Sequence, residues 1–90
     1  APARAPEAGS PAYRRAEALW QAGDLAAARK ACEEALTGAP KSVDLLHLAG
    51  VVRMQANDFK GAEPFLAKSI QLAPDHPRVV ENWARCLERL

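Results

Sequence analysis

No run of about 18 apolar residues occurs in this sequence, so no helix in it is expected to span a membrane. Aromatic residues are scarce, five in 90, and β-branched residues are few, which argues against a sheet. Net charge is nearly absent as well. Twelve basic residues stand against eleven acidic ones, leaving +1, so bulk charge creates no polyanion-binding surface and no nucleic-acid partner is expected. The two cysteines, Cys32 and Cys86, lie 54 residues apart and fit neither a zinc pattern nor a Cys-x-x-Cys redox pair. No charged segment precedes a short apolar one, so these residues contain no signal peptide; the compartment stays open, with the cytoplasm ahead. An opening alanine in place of methionine fits a processed product or a piece of a longer chain.

Catalytic signatures are missing too. The nucleophile elbow, the paired-histidine zinc motif and both glycine-rich phosphate loops are absent, so an enzyme is not expected. His47 and His76 fall on a helix and in a turn, neither with a second ligand three or four residues on, so no metal and no cofactor are expected. Glu33-Glu34 and Arg14-Arg15 read as solvated charge pairs on outward faces.

What remains is alanine and regular punctuation. Alanine supplies 20 residues, a helix composition. Residues 1–10 alternate small side chains with proline and read as a disordered linker. Beyond them Gly23, Gly38/Pro40, Asn57 and Pro74/Pro77 divide the chain into five helical pieces, about 11–22, 25–37, 42–56, 59–72 and 77–89. Ser10, Asp24, Ser42, Asp58 and either Asp75 or His76 are the candidate N-caps.

A shift of 34 positions superposes Gln21-Ala22 on Gln55-Ala56, Asp24 on Asp58, Ala28 on Ala62 and Ala39-Pro40 on Ala73-Pro74. A fixed period marks stacked supersecondary units. Ala16, Ala28 and Ala35, with Gly50, Ala62 and Ser69 in the next unit, let paired helices approach, while Leu19, Leu36, Leu46, Phe59, Leu66 and Ile70 fill the gaps. On these residues the chain resembles the tetratricopeptide repeat, whose pattern is a bulky residue, then leucine-glycine and an aromatic on the first helix, alanine and an aromatic on the second, and a closing proline. Arg53 stands where that pattern has an aromatic, Asn57 where it has the turn glycine, and Cys32 at a core aromatic position.

The resemblance implies an all-α fold: antiparallel helix-turn-helix repeats stacked as a short right-handed superhelix, an α-solenoid of five helices. Repeat 1 covers about 9–42, repeat 2 about 43–76, and 77–90 is the first helix of a third repeat or a cap. It also implies a protein or peptide segment as partner, held in a groove lined by the first helix of each unit. Carried over by position, the groove residues are Tyr13, Arg14, Glu17 and Trp20 from the first unit, Asp44, His47, Leu48, Val51, Met54 and Gln55 from the second, and Arg78, Glu81, Asn82 and Arg85 from the third. The helix at 42–56 is apolar nearly all round and should be covered on both sides. Family members that grip a C-terminal carboxylate place lysines and asparagines where this chain has Tyr13, Glu17, Leu48, Arg78 and Asn82, so that mode is not expected.

The last helix carries an apolar arc of about 160°, wider than one neighbour covers. Trp83, Leu87 and Leu90 on it mark a continuation face or a self-association face, through which a homodimer or an intramolecular contact would form. Two further alternatives to a free-standing interaction module stay open: an accessory arm of a larger enzyme, such as a glycosyltransferase, sulfotransferase or hydroxylase, and a self-associating scaffold.

Overall fold

Each helix starts where a short side chain takes over an orphan backbone donor. Ser10 accepts from the Tyr13 amide, Asp24 from Ala27, Ser42 from Leu45, Asp58 from Gly61 and His76 from Val79. These caps open five helices: α1 (Pro11–Gln21), α2 (Leu25–Gly38), α3 (Val43–Gln55), α4 (Phe59–Leu72) and α5 (Pro77–Glu88). The molecule is a computed structural model in which residues 10–90 are described. The expected linker lies outside the described residues except for Ser10, which serves as the α1 cap. Pro11 and Pro77 occupy the first turns of α1 and α5, where their missing N–H costs no hydrogen bond.

The 34-residue period holds in the backbone. Gly23 and Asn57 are the described residues with positive φ, at 84° and 63°, each closing the tight turn between the two helices of a unit. Ala39 and Ala73, which end α2 and α4, have φ of −145° and −141°. The caps that follow, Ser42 and His76, have φ of −75° and ψ of 112° and 114°.

Successive helices pack on one another in chain order, and α3 also touches α1 and α5 more lightly, the arrangement of an all-α repeat stacked as a solenoid. Burial repeats with the same period: Ala28 and Ala62, Leu45 and Val79, and Val52 and Cys86 are all at most 1% exposed. The close approaches sit where the small residues are. A Cβ on Gly50 would lie 2.6 Å from Leu66 Cγ, so α3 and α4 touch there with no room for a methyl group. Seven residues of α3 are buried, making it the central element.

Arg53 occupies its aromatic position by behaving partly as one. Its guanidinium lies 4.7 Å from the centre of the Phe65 ring and is almost wholly buried, and its Nη2 donates to Glu33 of α2. Glu33 stays on the exposed face that its sequence position suggests, with its side chain 46% exposed, and also pairs with Arg53. The unit spacing brings Glu33 across from Arg53, a contact between residues 20 apart that no local pattern signals.

Candidate functional site

Since α1, α3 and α5 are first helices of successive units, they stand side by side on one face. The helical period aims every third or fourth residue of each toward that face. Two adjoining cavities result, with Val51 of α3 in the wall of both.

The first, of about 290 Å³, lies where α1, α3 and the start of α5 converge. Tyr13, Glu17 and Trp20 form one wall, Asp44, His47, Leu48 and Val51 the floor, and His76 and Arg78 the far rim. Tyr13 donates its hydroxyl to Glu17 Oε2 at 3.4 Å. Burial, then the charges of Glu17 and Asp44, push the phenol up to about 12, so Tyr13 remains a neutral donor at any physiological pH. The Trp20 Nε1 donor is buried here without a hydrogen-bond partner. Leu48 is only 4% exposed and belongs to the core cluster of Ala16, Cys32 and Val52; it supports the floor from beneath.

The second cavity, about 320 Å³, lies between α3 and α5. Val51, Met54 and Phe59 make its apolar part, and Asn82, Arg85 and Arg89 its polar rim. Arg89 stacks on Phe59 with its guanidinium carbon 4.9 Å from the ring centre. Between the cavities Asn82 Nδ2 meets His47 Nε2 at 2.7 Å, tying α5 to α3. Burial lowers the His47 pKa, with His76 and Arg78 acting the same way and Asp44 opposing, so the ring is neutral near pH 7.

Of the fourteen groove positions read from the sequence, twelve line one cavity or the other, and Arg14 and Glu81 line neither. Sequence reading missed Phe59, Arg89 and His76, which come from the second helix of a unit, a helix end and a cap; no first-helix pattern points to them. The end-face set is placed differently. Leu87 and Leu90 are 47% and 55% exposed, but Trp83 turns inward onto the cluster of Ala62, Leu66 and Cys86. Its place on the open face is taken by Leu72 and Val80, each 42% exposed.

The site offers shape, an apolar floor and charged rims. Cys32 and Cys86 are fully buried, and burial pushes the Cys32 thiol up to about 11, far from a reactive thiolate. Among the described residues no group of three or more His, Cys, Asp or Glu is placed to hold a metal ion. No described helix is long and apolar enough to cross a membrane.

Comparison with known proteins agrees with the architecture. The model of the tetratricopeptide repeat family matches residues 19–81, from the end of α1 into α5. No curated protein matches the chain in sequence. With a match over more than two thirds of its length and a backbone that repeats every 34 residues, the chain belongs to the tetratricopeptide repeat family.

Proposed function

We propose that this chain is a non-catalytic interaction module that holds a segment of a partner protein in the groove of α1, α3 and α5. Tetratricopeptide repeats are generally protein-interaction modules and typically non-catalytic. The observation that carries the reading for this chain is the continuous floor of Val51 and Met54, open to solvent and walled by Tyr13, Trp20, Asn82 and Arg85. An apolar strip with convergent polar groups is the usual form of a recognition surface.

The test is a pull-down from the source cell with the native chain and with a Tyr13→Ala/Val51→Ala/Met54→Ala variant of matched helicity. A partner held by the native chain and lost by the variant supports the groove. A partner held equally by both rejects it.

A second reading is favoured by the exposed Leu72, Val80, Leu87 and Leu90, which leave the α4–α5 end uncovered. There a second copy of the chain would bury the stripe, making a self-associating scaffold in place of a peptide holder. An arm of a larger enzyme would use the same end to contact the rest of its polypeptide.

A further inference from the structure

The two cavities carry opposite charge, and we infer that the partner segment is bipolar: an acidic residue beside a bulky apolar one in the α3–α5 cavity, and a basic residue about five positions away over Glu17 and Asp44. The inference rests on the groove reading above and specifies the chemistry of its ligand.

No carboxylate lines the α3–α5 cavity, whereas two guanidinium groups, those of Arg85 and Arg89, do. Arg89 lies flat on Phe59, and among the described residues no carboxylate pairs with it. Arg85 has an i,i+4 contact of 3.8 Å with Glu81, both side chains well exposed. Exposed pairs of this kind contribute little, so an incoming carboxylate competes with Glu81 on good terms. The adjacent Val51, Met54 and Phe59 surface is apolar, which places a large apolar side chain next to that carboxylate.

At the other end the balance reverses. Glu17 accepts from Tyr13, Asp44 has no ion pair among the described residues, and both carboxylates act on the same Tyr13 phenol, so they converge. Tyr13 and Trp20 add aromatic walls suited to a cationic side chain. With Arg78 at the far rim, the α1 side is the acidic one. Along α3 the distance from Asp44 to Gln55 is eleven residues, about 16 Å at 1.5 Å each. An extended segment rising about 3.3 Å per residue covers it in about five.

The experiment uses a positional-scanning library of heptapeptides with blocked ends, probed with the native chain, with Arg85→Gln/Arg89→Gln and with Glu17→Gln/Asp44→Asn. Unfolding curves confirm that both variants fold. The native chain is expected to select Asp or Glu beside Leu, Phe or Met, with Lys or Arg four to six positions away. The arginine variant should bind the selected peptides about fivefold more weakly and lose the acidic preference while keeping the apolar one, a change of the size that single exposed charge pairs give. The carboxylate variant should lose the basic preference. Selection without an acidic preference, or its persistence in the arginine variant, overturns the inference and leaves the groove intact. Absence of any selective binding, or binding unaffected by alanine at Tyr13, Val51 and Met54, overturns both.

Discussion

Asn82 of α5 and His47 of α3 meet across the groove at 2.7 Å. Because Arg85 Nη1 donates to Asn82 Oδ1, the amide nitrogen faces the ring, and His47 Nε2 must accept. The ring is then neutral, with its proton on Nδ1. One contact thus joins the groove-lining surfaces of two units and requires a particular protonation state.

A pH dependence follows from it. Burial lowers the His47 pKa below its ordinary 6.5, so the unfolded chain takes up the proton first as pH falls. The contribution is fully present above about 6.5 and is lost as pH falls through the folded-state value. Urea midpoints should fall between pH 7 and 5, and fall less in His47→Gln, where nothing titrates at that position. An equal fall in both would assign the effect to other groups.

Gly50 and Gly38 should respond oppositely to alanine. At Gly50 the added Cβ meets Leu66, a fully buried side chain, at 2.6 Å, and overpacking of this kind costs about 1–3 kcal/mol despite the better helix propensity. At Gly38 nothing lies within 4 Å and φ is not positive, so alanine should stabilise by up to about 1 kcal/mol. Denaturant unfolding of the two variants checks both signs.

Neighbouring glutamates should differ in the same way. Glu33→Gln removes the charge that Arg53 holds at the edge of the core and should cost about 1–2 kcal/mol. Glu34→Gln, at an exposed site, should stay within about 0.5 kcal/mol. Equal effects would mean that the Phe65 stack and Asp58, 3.9 Å from Arg53 Nη1, hold the guanidinium without Glu33.

The fold was legible because its signals are local and repeated. Caps at Asp24 and Asp58, turns at Gly23 and Asn57, and small residues at Ala28 and Ala62 each announce the same unit twice, and helix boundaries shifted by no more than about one residue. Groove positions on first helices were legible for the same reason. Contacts between units were not: Glu33 to Arg53, Arg89 over Phe59 and the inward turn of Trp83 depend on how one repeat seats on the next. A charged side chain reads as solvated in any sequence pattern, and only the three-dimensional neighbour reveals otherwise.

The uncovered α4–α5 end makes a separate prediction. If a second copy covers it, molar mass in sedimentation should rise with concentration, and Val80→Glu/Leu87→Glu should hold the chain monomeric without loss of helicity, since both side chains are already exposed. A native chain that stays monomeric at high concentration rejects the scaffold reading.

The most direct test of the groove is amide chemical-shift mapping on this 90-residue chain with the partner segment recovered in the pull-down. The account predicts the largest changes at Tyr13, Val51, Met54 and Asn82, on α1, α3 and α5. Largest changes at Leu72, Val80 and Leu87, with the groove undisturbed, would contradict it.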